Sequence, residues 1–202
     1  MNMLKRIGVI LTDPHAFFKH IQREQGIRNA LIYLAILMIV SVGLGTAMSI
    51  IMQPFTIDLV SWFTGIQVPA EEAAMPAMTL VIHALIGYVM AVLIGGFFWA
   101  GIVHVWCLLF GGKAGYSKSY QLSVYASTPG MLFGWVPFVS IVAQIWGLIL
   151  LIIGTQHVHG IARKKAILMW VIPVIVLVLL WVLAMLFFFT FVQTMPPEAF
   201  LQ

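Results

Sequence analysis

The chain has 202 residues, 62% of them hydrophobic and only 8% charged, with a mean hydropathy of +1.08. A soluble domain carries about 25% charged residues, so this composition points to a bilayer and excludes an ordinary soluble enzyme. The net charge of +4 rests on a few basic residues in short clusters, which is no footprint for a nucleic acid. The single cysteine, Cys107, rules out a disulfide within the chain.

Residues 1–28 come first. The apolar stretch from Ile7 to Leu11 is too short for a secretory-signal core and no small-residue cleavage site follows, so this segment is expected to be retained. Leu4, Ile7, Ile10 and Leu11 recur at helical spacing. Asp13 should then cap a second helical segment with Pro14 in its first turn and Phe17, Phe18 and Ile21 on one side. Lys19, His20 and Arg23 decorate the remainder. A basic amphipathic segment beside a span is expected to lie in the interface plane, with Lys19 and Arg23 meeting anionic headgroups or a partner.

About 20 apolar residues cross a bilayer as a helix. Residues 29–52 fit one crossing, and the outer loop after them carries Phe55, Ile57, Leu59, Val60, Trp62 and Phe63, which predicts a surface-lying or re-entrant piece. Residues 77–110 would extend about 50 Å as a helix, long for one crossing and short for two with a turn. Residues 119–136 form a more polar segment broken by Pro129 and Gly130, and residues 139–158 and 166–192 complete the set. Cytoplasmic flanks favour Lys and Arg. With each segment crossing once, Lys5, Arg6, Lys19, Arg23, Arg28, Lys113, Lys118, Arg163, Lys164 and Lys165 all face the cytoplasm. The prediction is an all-α bundle of five transmembrane helices plus short interfacial helices, N-terminus in and C-terminus out. It divides into a cytoplasmic segment 1–28, a membrane domain 29–192 and an external tail 193–202.

Small residues recur at spacing four in the first span (Ser41, Gly45, Ser49) and the second (Gly87, Ala91, Gly95), a pattern that lets helix backbones approach closely within the chain or in a homo-oligomer. The third segment carries Ser119, Ser123 and Ser127 at the same spacing, with Gln121, Tyr125 and Thr128 nearby. Together with Gln144, His83 and His104 these form a candidate polar face that should point to the bundle interior or a hydrated cavity. Helical rise separates His83 from His104 by roughly 30 Å, so they share no metal within one chain. There is no His-Glu-x-x-His and no carboxylate within a span, which removes zinc and aspartyl intramembrane proteolysis and a carboxylate proton relay. A Ser–His dyad from Ser123 or Ser127 is a pairing that any bundle offers by chance.

The stretch GTQHVHGIARKKA, residues 154–166, could be a chelate, a phosphate clamp or a helix end. Histidines at i and i+2 on a helix point about 200° apart and would not share one ion. Gly160 suits a left-handed cap, the imidazoles of His157 and His159 can meet the last unpaired carbonyls, and Arg163, Lys164 and Lys165 mark the cytoplasmic side. A helix end is the reading to expect, with no metal or other cofactor, and with the basic triplet touching headgroups or a partner.

Three stretches in order resemble the Ypt/Rab-interacting-protein (Yip) family in its prokaryotic form. They are TDPHAFF before the first span, GGKAGYSKSYQLSVYASTPGML, with Tyr125 and Pro129 in the family's aromatic-to-proline position, and IWGLILLIIGTQHVHGIARKKA. The resemblance implies a five-span fold, and eukaryotic relatives bind Rab-type GTPases through a cytoplasmic Asp-Leu-x-Gly-Pro motif. That motif is missing here, Asp13-Pro14 being the only comparable dipeptide, so such a GTPase is not the expected partner. The expected function is a non-enzymatic scaffold of the cell membrane that organises partners or bilayer shape. The alternative is a transporter or channel using the polar third segment and Gln144.

Overall fold

The computed structural model describes residues 2–64 and 76–194, and every regular element among them is helical. Helix α1 (Met3–Thr12) begins where the Asn2 side chain accepts from the Lys5 N–H. Asp13 ends it and starts α2 (Pro14–Ile21) by accepting from the Ala16 N–H, with Pro14 in the first turn as its spacing predicts. The apolar side of α2 does not lie free for the interface, however. Phe17, Phe18 and Ile21 are buried against α8 (Val139–His159) and its neighbours. Gly154 of α8 makes the room: a Cβ there would stand 2.8 Å from Phe18 Cε1. The expectation that α2 offers this apolar side to the interface is therefore corrected, while Leu4 of α1 stays exposed. Each such side chain removed from water contributes about 1.5–3 kcal/mol, and here the chain supplies the apolar cover itself.

Helix α3 (Arg28–Thr64) continues through Pro54 for 37 residues. Residues 53–64 thus extend the first long helix and form no separate re-entrant piece. Their apolar run carries no helix stop, and a membrane helix tolerates an internal proline better than a soluble one does. The rest of the outer loop lies outside the described residues. The next segment consists of α4 (Ala77–Met90), a π-helical turn (Ala91–Gly95) and α5 (Gly96–Leu109). Its backbone stays right-handed helical at Met90, Ala91, Gly95 and Gly96, so the chain does not reverse there.

The small residues play unequal parts. A Cβ on Gly87 would meet nothing within 4 Å, and one on Gly95 only the Met90 carbonyl at 3.9 Å. The close approach falls one residue later, at Gly96, where a Cβ would stand 2.9 Å from Leu34 Cδ2 of α3. Gly45, Ser49 and Gly87 line an open groove of about 790 Å³ between α3 and α4, and Trp135 occupies the space against Gly45. Ser41 and Ala91 are half-buried. Gly96→Leu should therefore cost about 1–3 kcal/mol by overpacking, visible as a lower melting temperature, while Gly95→Leu leaves the monomer's melting temperature unchanged. Equal melting of both variants would contradict the Gly96–Leu34 contact.

The third segment is an internal wedge: α6 (Tyr116–Ala126), a break at Ser127, and α7 (Thr128–Phe133) with Pro129 in its first turn. Every residue from Ser119 to Ala126 is buried, which follows from a polarity that lipid could not accept. Neither half is among the helices long and apolar enough to cross a membrane, which are Arg28–Leu59, Val139–His159 and Arg163–Phe191. Helix α8 ends at Gly160 in the left-handed conformation (φ 69°), as the sequence predicts, and α9 (Arg163–Thr194) follows. Most apolar side chains of α9 beyond Trp170 are exposed, the arrangement of a helix with one side to lipid.

Candidate functional site

Helix α6 is buried all round from Ser119 onward and carries different chemistry on different sides. Lys118, Gln121 and Tyr125, at spacings of three and four, face the turn after α2. Lys118 Nζ donates to the carbonyl of Ile21 at 2.7 Å and to that of Glu24, and to Gln121 Oε1 at 3.2 Å. Gln121 Nε2 donates to the carbonyls of Gly26 at 2.6 Å and Glu24 at 3.2 Å. Helix ends leave carbonyls without partners, and here α6 supplies the donors for α2, including a cation at its negative dipole end. Burial pushes the Lys118 ammonium below its ordinary pKa, and the Glu24 carboxylate opposes that shift.

Glu24 closes the knot. Its carboxylate pairs with Arg6 of α1 at 3.3 Å and accepts from the Tyr125 hydroxyl at 3.2 Å, while that hydroxyl accepts from the Arg6 guanidinium. Both members of the ion pair are mostly covered, with side-chain exposures of 14% and 10%. The Tyr125 ring also meets the edge of Phe17, at 5.1 Å between centroids. Polar and apolar contacts thus fasten the N-terminal arm, α1 and α2, to the same helix. Sequence reasoning missed Arg6, Glu24 and Lys118 in this role. The available signal was the shared face of Lys118, Gln121 and Tyr125, together with Glu24, the acidic residue of the arm that no cap accounts for.

Another side of α6 carries Ser119, whose Oγ lies 3.0 Å from His104 Nδ1 and 3.0 Å from His159 Nε2. His159 Nδ1 is buried without a partner. A buried N–H there would cost more than an idle lone pair, which puts the proton on Nε2. His159 then donates to Ser119, and Ser119 donates to His104. Gly112 packs over the ring, since a Cβ there would stand 2.9 Å from His159 Nδ1. The partners expected for this helix end were carbonyls, and the structure corrects that: His159 turns to Ser119, while His157 Nε2 meets His15 Nδ1 of α2 at 3.0 Å. The two imidazoles address different elements, and no group of three or more metal-ligating side chains occurs among the described residues.

These positions separate the two histidines energetically. His159→Ala should cost about 2–4 kcal/mol, from a cavity and a stranded Ser119, whereas His157→Ala should cost about 0.5–1.5 kcal/mol. Thermal unfolding of the two variants in one detergent checks the order. Stoichiometric zinc or nickel that survives purification and is lost with either change would contradict it.

The other polar residues lie apart. His83 is exposed on α4 with its Nδ1 2.8 Å from the Thr79 carbonyl, about 30 Å of helix from His104. Ser123 and Ser127 donate to backbone carbonyls one turn back, at 2.7 Å and 2.9 Å. Both line a cavity of about 620 Å³, shared with Ser41 and Gln144. Arg163, Lys164 and Lys165 stand exposed at the start of α9, and Lys19 and Arg23 are exposed on and just after α2.

Long apolar helices around a buried polar wedge define a multi-pass α-helical membrane protein. The family model of the Yip1 domain matches residues 7–185, and the chain belongs to that family. No curated protein and no solved structure matches it.

Proposed function

We propose that the protein is a non-enzymatic scaffold of the cell membrane, crossing five times with its N-terminus inside, that organises a partner or the shape of the bilayer from a preassembled cytoplasmic platform. The observation that supports this reading is the fastening of the N-terminal arm. The Arg6–Glu24–Tyr125 knot and the Phe18–Gly154 seam hold α2 in place with Lys19 and Arg23 outward. A fixed cationic surface beside a membrane suits anionic headgroups or an acidic protein segment, at about 1 kcal/mol per charge near the surface. Asp13-Pro14 is occupied in starting α2, which leaves it unsuited to GTPase docking.

The test uses full-length protein in vesicles that contain anionic lipid. Wild-type protein should retain a partner in pull-down or alter vesicle curvature, and Lys19→Glu with Arg23→Glu should abolish that effect without changing the melting temperature. Finding neither partner nor curvature change counts against the scaffold. Solute flux that depends on Ser123 or Gln144 would replace it with transport.

A further inference from the structure

Gln144 presents a physical problem. It lies five residues into α8, a membrane-crossing candidate, and its side chain is exposed. Its amide has no hydrogen-bond partner within the described residues, and it packs beside Gly130, whose Cβ position would be 3.4 Å from Nε2. At 1.5 Å per residue the amide stands only about 7 Å from the start of a helix about 31 Å long. An amide facing hydrocarbon alone costs several kcal/mol, so its surroundings must offer a donor or an acceptor.

The surroundings are the cavity of about 620 Å³. Its walls are apolar, from Trp99, Leu148, Trp170 and Leu177. Besides the Trp99 indole N–H and that of Trp170, which is given to Thr155, its polar side chains are the Gln144 amide and the hydroxyls of Ser41, Ser123 and Ser127, and no charged side chain lines it. Ser123 and Ser127 already give their protons to backbone carbonyls, which leaves them as acceptors. Gln144 offers both a donor and an acceptor. One wall belongs to α9, whose far side is open to lipid, so the way in is from the bilayer. The volume falls within the range of about 300–1,000 Å³ typical of sites for one small ligand.

We propose that this cavity binds one uncharged, single-chain amphiphile from the bilayer, with an apolar chain along Trp170 and Leu177 and a hydroxyl or amide head on Gln144 and the serines. The missing charge disfavours a phosphate or carboxylate head, and the acceptor-rich floor favours a head that can donate.

The test is photolabelling of full-length protein in nanodiscs, with diazirine analogues of hexadecanol, hexadecane and palmitic acid mapped by mass spectrometry. The alcohol should label the cavity walls saturably, several-fold above the alkane and the acid. Unlabelled hexadecanol should compete. Gln144→Leu, at an exposed position that the fold does not need, should lower cavity labelling about fivefold and leave labelling of the lipid-facing side of α9 unchanged. Equal labelling by the alkane, or no effect of Gln144→Leu, would mean that bulk lipid fills the space and would overturn the proposal. So would preference for the acid. A Gln144→Cys disulfide dimer in a Cys107→Ser background would show that a second copy occupies the cavity, and would overturn it as well.

Discussion

Gly154→Val is expected to lower stability by about 3 kcal/mol and to free the N-terminal arm. Overpacking a filled core costs about 1–3 kcal/mol. The upper end applies here because the new Cβ meets Leu122 as well as Phe18, at 2.8 Å from Cε1, and both neighbours are fully buried with nowhere to move. The melting temperature should fall, and limited proteolysis should cut between α2 and α3 in the variant before it cuts the parent. Phe18→Ala alone should cost about 3–5 kcal/mol through the cavity it leaves. Combined with Gly154→Val it should cost less than the sum, because the smaller residue makes room for the larger. Strict additivity, or parental melting of Gly154→Val, would mean that α2 does not rest on α8.

Replacing Arg163, Lys164 and Lys165 with glutamate sets two effects against each other. Carboxylates in the first turn of α9 suit the positive end of the helix dipole, by about 0.3–1 kcal/mol each, and the native cations are locally unfavourable there. Orientation, and not helix stability, is therefore the role expected of them, since cytoplasmic cations help to set which way flanking helices insert. The orientation effect should win, because it acts during insertion, before the finished helix can gain from its dipole. Position 162, made cysteine in a Cys107→Ser background, should react from the cytoplasm in the parent and become inaccessible or misplaced in the triple variant. Unchanged labelling would show that the triplet does not set orientation.

How much of this was legible depends on the range of the contact. Asp13 and Pro14 announced the start of α2, and Gly160 announced the end of α8, because caps are local and their residue types are few. The serine ladder of α6 predicted its burial, since hydroxyls avoid hydrocarbon. The apolar side of α2 was equally legible, but its cover was not. Gly154 sits in an apolar run like any membrane glycine, and nothing near it in sequence names Phe18. His159 and Ser119 are likewise 40 residues apart, so helix-end chemistry suggested carbonyls where the fold supplies a hydroxyl. The polar knot was hidden for a related reason: a glutamate among cations reads as a solvated charge until Arg6 and Tyr125 are brought to it.

The π-helical turn bears on how this chain tolerates change. Tyr88 and Gly96 both look at α3: the tyrosine hydroxyl donates to the Ala35 carbonyl at 3.3 Å, and Gly96 lies against Leu34. Eight regular α-helical steps would turn the second position about 80° from the first, whereas seven would bring it within about 20°. The wider turn at Ala91–Gly95 takes up the extra step and keeps the two halves in phase. It works as slack in the rod. Losing one residue within that turn should restore an ordinary α-helix and leave both faces aimed as they are. The same loss above or below it, with the slack still in place, would swing one half about 100° off its partner.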